Sequence, residues 1–337
     1  MNDANYTIST IGSHSALQIL RGAKDEGFRT IVICKKDSEK VYRLFGVADR
    51  IIPVDDYGEI FTIEDELVRE KAILIPHASF ISYLGCEAVE KLRVPYYGNK
   101  KILKWESDRN LERQWLAAAG LKTPKIFANP RDIDRPVIVK FHGARGGKGY
   151  FIAKDERDFR EKIAGNEKSA FVIQEYIMGV TLYVHYFYSP LGDELEIMGF
   201  DKRYESNVDS LGRISARDQM ALQKIDPSYL IVGNIPIVVR ESYLPELLTM
   251  GMRVIEESMK VAPPGLFGPF CLETILTPEG DVYVFEISAR IVAGTNPYIH
   301  GSPYTWLKYN EPMSTGRRIA REIKIAIARG ETSKILS

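Results

Sequence analysis

The chain is short of cysteine, of surplus charge and of long apolar runs, and each shortage excludes something. Its three cysteines, Cys34, Cys86 and Cys271, are odd in number and far apart. That excludes a disulfide frame and suits small buried thiols in a reducing cytoplasm. No pair of cysteines or histidines has zinc-ligand spacing. Lys+Arg and Asp+Glu are equal at 45 each, so bulk charge points to neither nucleic acid nor membrane. No run approaches the ~20 apolar residues of a membrane span, and the opening MNDANYTIST has no basic and apolar leader. The expectation is a cytoplasmic protein of two or three packed units acting on small ligands.

What is present begins with V-I-V-K-F-H-G-A-R-G-G-K-G-Y-F-I-A, Val137 to Ala153. Two β-branched, apolar runs flank a loop holding Gly143, Gly146, Gly147 and Gly149 among the cations Lys140, Arg145 and Lys148. Glycines let backbone N–H groups curl toward an anion, and lysines beside them supply charge for a nucleoside triphosphate. A P-loop or a dinucleotide fingerprint would run from strand into helix, whereas this motif runs from strand to strand. It reads as a glycine-rich hairpin folding over phosphates, with a solvated surface hairpin as the other reading.

The first ~100 residues alternate strand and helix: Tyr6–Ile11, Ser15–Glu26, Arg29–Cys34, then Ala72–Ile75, Ile81–Lys91 and Val94–Tyr97. That pattern predicts a small doubly wound parallel sheet whose strand ends near 12–15 and 76–80 share one crevice. His14, between two serines at a helix start, and Ser79 in the equivalent loop have backbone donors nearby that suit a ribonucleotide phosphate; Ser13, Ser15 and Ser79 serve equally as ordinary N-caps. Further on, Asp108 should cap a helix ending at Gly120. Strands are expected at 171–176, 181–188 and 194–204, a polar loop at 205–218, a helix at 243–259 and a closing helix at 315–329.

In F-C-L-E-T-I-L-T-P-E-G-D-V-Y-V-F-E-I-S-A-R, a four-residue loop at Pro278–Asp281 would set Glu273 opposite Glu286 on antiparallel strands. Like charges so paired repel, and a divalent cation between them removes the conflict. Leu272, Phe285 and Ile287 would then line the packed face. Two solvated glutamates on an exposed hairpin are the alternative, which a one-residue slip would favour. Arg290, just beyond, has the planar fork that suits a transferring phosphoryl group. Gln174-Glu175-Tyr176-Ile177 reads as a hinge strand able to meet an adenine edge.

Lys140, the glycine hairpin, the Q-E-Y-I strand and Glu273/Glu286 together resemble the ATP-grasp superfamily. Longer runs resemble one family within it, the archaeal formate-dependent 5-aminoimidazole-4-carboxamide ribonucleotide (AICAR) ligases of purine biosynthesis. Among these runs are S-H-S-A-L-Q-I-L (13–20), W-E-S-D-R-N-L-E-R (105–113), R-Y-E-S-N-V-D (203–209), G-N-I-P-I-V-V-R-E-S (233–242) and F-E-I-S-A-R-I-V-A-G-T-N (285–296). The resemblance covers nearly the whole chain. It implies a small doubly wound domain at 1–100 ahead of an ATP-grasp domain at 101–337, with 125–180 carrying the glycine-rich loop.

The implied reaction is AICAR, formate and ATP giving the 5-formamido product (FAICAR), ADP and phosphate, with Mg²⁺ or Mn²⁺ as cofactor and formyl phosphate as intermediate. It implies ATP contacts at Lys140, Arg145, Gly146, Gly147, Lys148, Glu175, Tyr176, Ile177 and Glu205. Substrate contacts fall at His14, Ser15, Ser79 and Asn234, metal ligands at Glu273 and Glu286, and catalytic cations at Lys140, Lys148 and Arg290. A homo-oligomer is expected. The chain departs from the superfamily at Gly179, where Val180-Thr181-Leu182 replaces the usual acidic residue, and at Glu286-Ile287-Ser288, where an asparagine is common. A ligase for another acid or amine, decided by Pro76–Ser79 and Tyr183–His185, and a non-catalytic AICAR/ATP sensor are the alternatives.

Overall fold

The computed structural model describes residues 6–141, 150–221 and 230–337. The first four strands, β1 (Thr7–Ile11), β2 (Arg29–Lys35), β3 (Arg50–Val54) and β4 (Ala72–Leu74), form a parallel sheet in the order β3-β2-β1-β4. Ile8, Ile11, Val32, Ile33 and Ile73 are buried, because helices cover both faces of such a sheet. The helix Ala16–Asp25 packs Ile19 and Ala23 into that core and gives its other side to the closing helix Thr315–Arg329. There Gly22 and Gly316 permit contact of the two backbones. A Cβ on Gly22 would stand 2.1 Å from Arg317 N, and one on Gly316 would stand 2.3 Å from Gln18 O. The chain end returns to the first sheet, where Ser337 and Tyr96 exchange N–H···O bonds of 2.9 and 3.0 Å.

Several local expectations differ from what folds. Ile81–Lys91 is two short helices, Phe80–Leu84 and Cys86–Glu90, broken at Gly85 with φ +80°. Val94–Tyr97 makes only isolated bridges, Leu74 with Tyr96 and Tyr97 with Leu336. The polar stretch 205–218 is not simply a loop: it holds the helices Val208–Leu211 and the start of Ala216–Ala221. Its polarity reflects exposure, which periodicity cannot distinguish from irregular backbone in so short a helix.

Strands β5 (Ile126–Phe127), β6 (Val137–Phe141), β7 (Tyr150–Ala153) and β8 (Phe171–Glu175) make an antiparallel sheet ordered β5-β8-β6-β7. Lys140 faces Tyr150 across β6 and β7, so the two runs flanking the glycine motif are paired as expected. The motif's tip, 142–149, with Arg145, Gly146, Gly147 and Lys148, lies outside the described residues.

The largest sheet is antiparallel, ordered β11-β10-β9-β12-β13: β9 (Val180–Ser189), β10 (Glu194–Glu205), β11 (Ile231–Ile237), β12 (Gly268–Leu276) and β13 (Val282–Ser288). Phe200, Val184, Leu272 and Ile287 form one row across it and are buried. The helices Arg109–Ala118 and Leu244–Val261 cover this face, tied together by Trp115 Nε1 donating to Val254 O at 3.0 Å. Asp108 caps the first of them through its side chain, as expected, accepting from Asn110 N and Leu111 N. The opposite face, period two along each strand, is the one left for chemistry.

Candidate functional site

One row on that open face reads Asp201, Tyr183, Glu273, Glu286 across β10, β9, β12 and β13. Glu273 does face Glu286, by a different route from the one expected. The turn is one residue longer than anticipated, pairing Leu276 with Val282, and a bulge then passes over Phe285 so that Thr274 pairs Val284 and Glu273 pairs Glu286. A bulge changes which face the following side chains meet. Phe285 therefore packs with Tyr183 at 6.4 Å between centroids on the open face, not with Leu272 and Ile287 as its alternation predicted.

Neither glutamate is solvated like a surface residue. Burial pushes the Glu273 carboxyl up, and the Glu286 charge opposite pushes the same way, against Arg203. Arg203 Nη2 donates to Glu273 Oε1 at 3.2 Å while its guanidinium lies 3.9 Å from the Tyr183 ring centroid. Arg109 Nη1 pairs with Glu286 Oε2 at 2.9 Å and Glu112 Oε2 at 3.1 Å. The buried Glu112 also accepts from Ile287 N at 2.8 Å. Lys140 is 3.5 Å from Gln174 Oε1 and 5.9 Å from the Phe285 centroid. Burial pulls its ammonium below the ordinary lysine range, with Glu286 acting the other way. Two facing carboxylates rimmed by Arg109, Arg203 and Lys140 can hold a hard cation together with a polyanion's oxygens.

The hinge presents itself more narrowly than anticipated. Glu175 spends its carboxylate on Arg135 Nη1 at 2.9 Å and Lys125 N at 3.1 Å. The Glu175 and Tyr176 N–H groups donate to Lys125 O and Pro136 O, at 2.7 and 2.9 Å. The Ile177 N–H meets no backbone acceptor among the described residues. Glu205 ends β10 half-buried, its carboxyl pushed up by burial and by Asp209, whose side chain accepts from Glu205 N.

Across the cleft the first unit offers its strand ends. His14 is exposed and held at φ +35°, a conformation that costs a non-glycine residue energy. Asn296 Nδ2 donates to its carbonyl at 3.3 Å; although the His14 side chain keeps open surface, the protein around the imidazole partly desolvates it, and with Arg290 and Arg203 this lowers its pKa. Ser15 and Ser79 sit at N-cap positions yet make no side-chain cap. They are buried, so the ordinary-cap reading does not describe them. His77, fully buried, joins the two loops: Nε2 donates to Ile11 O at 2.9 Å and Nδ1 accepts from Ser79 N at 3.3 Å. Burial takes its pKa down to about 3. Arg290 is not a surface salt bridge; its side chain is 11% exposed, paired with Glu106 and donating to Ala78 O at 2.8 Å. It reaches the His77 loop at Ala78 and acts electrostatically on His14.

Asn234 lies on β11, opposite Arg203, and donates from Nδ2 to Asp201 Oδ2 at 2.7 Å. Asp201 also accepts from His185 Nε2 at 2.7 Å. His185 falls in the Tyr183–His185 segment expected to decide the substrate, whereas Asp201, Arg203 and Arg109 were not among the expected contacts. A signal was there on two strands: Tyr183/His185 and Cys271/Glu273 take every second position of otherwise apolar runs, while on β10 Lys202 between Asp201 and Arg203 hides the alternation.

Comparison with known proteins adds a family. Residues 151–337 match a model described as a domain of unknown function, DUF1297, and residues 8–127 one described as a protein of unknown function, DUF1246. A 5-formaminoimidazole-4-carboxamide-1-(beta)-D-ribofuranosyl 5'-monophosphate synthetase of Pyrococcus abyssi is 55% identical over 338 residues, spanning 98% of each chain. The synthetase of that name from Methanocaldococcus jannaschii is 47% identical, over 100% of this chain and 96% of its own. The crystal structure of an IMP biosynthesis protein, PurP, from Thermococcus kodakaraensis superposes with TM-score 0.79 at 30% identity, over 98% of this chain and 100% of that one. The ADP complex of an N5-carboxyaminoimidazole ribonucleotide synthetase shares the fold at TM-score 0.68 and 15% identity, over 95% of this chain and 77% of the other.

Proposed function

We infer the function from the premise that this chain belongs to the family of 5-formaminoimidazole-4-carboxamide ribonucleotide synthetases, ligases of the ATP-grasp fold in purine biosynthesis. It joins formate to the 5-amino group of AICAR at the expense of ATP. What supports the assignment of sites is one observation: Glu273 faces Glu286 on the same open face that carries Asn234, and the first unit presents His14 within electrostatic reach of Arg203 and Arg290. Residues 1–100 then hold the ribonucleotide together with Asn234, and 101–337 hold ATP, with 125–180 folding over its phosphates.

Formate is a poor acyl donor because oxide would have to leave. A formate oxygen attacks the γ-phosphorus of ATP, ADP departs, and formyl phosphate forms with phosphate as a far better leaving group. The 5-amino nitrogen then attacks the formyl carbon; the C–O bond to phosphate breaks and the nitrogen gives up a proton. Positioning and cations around the transferring group supply most of the acceleration. Glu273 and Glu286 would hold Mg²⁺ or Mn²⁺, and their donor set fits: two facing carboxylates, with burial and then the Glu286 charge raising Glu273. Among the described residues no third acidic, thiol or imidazole ligand joins them, which leaves room for phosphate oxygens. A cation held there by Glu273 and Glu286 would supply positive charge against the phosphates.

Lys140 approaches the same phosphates, joined by Arg145, Gly146, Gly147 and Lys148 of the glycine loop. Glu175 to Ile177 meet adenine through backbone, the Ile177 N–H being the open donor, and Glu205 takes the remaining nucleotide contact. His14, Ser15, Ser79 and Asn234 hold AICAR, and Arg290 fixes the His77–Ser79 loop against the end of β13. The deciding experiment supplies purified protein with AICAR, ATP, Mg²⁺ and ¹⁴C-formate. Label in FAICAR with one ADP per formyl group is expected; ADP release without labelled product would return the chain to a ligase for another acid or amine.

A further inference from the structure

Asp201 is wholly buried, and no atom of it is offered to a ligand. It nonetheless holds two side chains of the open face at once, accepting from His185 Nε2 on one oxygen and from Asn234 Nδ2 on the other, both at 2.7 Å. Gly294 closes over the pair: a Cβ there would lie 2.2 Å from Asp201 Oδ1 and 2.6 Å from the His185 ring. Through the same turn, Asn296 reaches His14 O and Thr295 accepts from Gln18. The unit is therefore locked from both sides of the cleft.

A carboxylate accepts and cannot donate. His185 and Arg203 keep Asp201 charged, their attraction outweighing burial and holding its pKa below the ordinary range. Facing such a group, the Asn234 amide has one permitted orientation, NH₂ inward. Its carbonyl oxygen is left for the half-exposed side, where no other partner bonds it among the described residues.

We propose that Asp201 is a positioning residue that fixes the Asn234 amide as a hydrogen-bond acceptor toward the substrate, and so selects a carboxamide over a carboxylate on the imidazole ring. This rests on AICAR as the substrate. The 5-amino nitrogen must reach the formyl carbon beside Glu273, which leaves the adjacent 4-carboxamide for Asn234. A carboxamide NH₂ satisfies a fixed carbonyl oxygen; a carboxylate at the same place opposes it with a second acceptor. If Asn234 were free to turn over, its NH₂ would welcome either group.

The test uses the full chain, ATP, formate and two ribonucleotides, AICAR and its 4-carboxylate analogue. Wild-type formylation of AICAR is measured first; failure there overturns the substrate reading and is distinct from failure of the positioning role. Asp201→Asn is expected to raise KM for AICAR about tenfold, to leave KM for ATP and formate unchanged, and to cut discrimination against the carboxylate analogue at least tenfold. The double exchange, Asp201→Asn with Asn234→Asp, rebuilds the pair with donor and acceptor swapped. The amide now on β10 would accept from His185 and donate to the carboxylate now on β11, whose free oxygen again accepts. It should bring KM for AICAR back within about threefold of wild type and restore the discrimination. Should the single variant fail to fold, the exchange is read by itself against that same threefold limit. A single variant that raises all three KM values together, unchanged discrimination, or an exchange that rescues nothing each overturns the proposal and leaves Asp201 a structural anchor.

Discussion

Glu273 and Glu286 meet because Phe285 is skipped. Two departures from the simplest hairpin, a five-residue turn and a bulge, offset one another and restore a pairing that either alone would have destroyed. The bulge also puts Phe285 beside Lys140 as an apolar wall. A site that must hold like charges together is thus built by a local irregularity, a common use of bulges.

The pair should be dispensable for folding and indispensable for turnover. Glu273→Gln or Glu286→Gln is expected to lower FAICAR formation by about a hundredfold or more at saturating Mg²⁺, since a preorganised charge partner of the transferring group is lost. Circular dichroism should be unchanged. Wild-type rates in a well-folded variant would end the metal assignment.

Stability should carry the mark of Glu273's burial and of the repulsion from Glu286. The Glu273 carboxyl binds its proton more tightly in the folded than in the unfolded chain. Its contribution is therefore present below the ordinary glutamate pKa, about 4.3, and is lost as pH rises through the raised folded value. Without divalent cation, melting temperature should fall across that window in wild type and fall less in Glu273→Gln; adding Mg²⁺ should flatten the wild-type curve. Parallel curves for the two proteins would refute the linkage.

His14→Ala should separate the two ligand sites. A hydrogen bond to a charged group contributes roughly 1.5–3 kcal/mol, so AICAR affinity should drop about ten- to a hundredfold while ATP affinity holds. Isothermal titration of each ligand reads this directly, and equal losses for both would return His14 to the rank of a loop residue.

The junction of the first unit with the closing helix should be intolerant of a single methyl. Gly22→Ala forces a Cβ into the backbone at Arg317, an overpacking expected to cost at least about 2 kcal/mol. Urea midpoints measure it, with Gly27→Ala, which has open space but φ +88°, as a control for local strain.

Arg318 lies buried between Glu196 and Glu322, at 2.9 and 2.7 Å, locking that helix to β10. Arg318→Met would leave the buried Glu322 without its cation and Glu196 with only Lys308, 3.7 Å away, and should cost about 3 kcal/mol. An unchanged melting temperature would show that the helix docks by its apolar face alone.

Much of this was legible before folding was considered. Strand–helix alternation forecast the parallel sheet, and the amphipathic run with Ile319, Ile323 and Ile327 forecast the closing helix to its last residue. Lys140 and the facing glutamates came from strand–turn–strand patterning. These are local signals, set by residues within a turn or two of one another. What escaped was non-local. β11 is poor in apolar alternation because it is an exposed edge, and Gly85 breaks a helix whose periodicity runs on across it.

The sequence by itself determined the family, the run of the main strands and helices, and the residue types of the candidate site: a lysine beside a glycine-rich run, a carboxylate pair, and histidine and serines at helix starts. Tertiary structure alone decided which groups share a surface. Arg203 reaches Glu273, Asp201 joins His185 to Asn234, and Arg109 spans Glu112 and Glu286, across separations of up to 177 positions between Arg109 and Glu286. Spacing along a chain specifies the face of one strand or helix. Only register and packing, which depend on every neighbouring element at once, place those faces against each other.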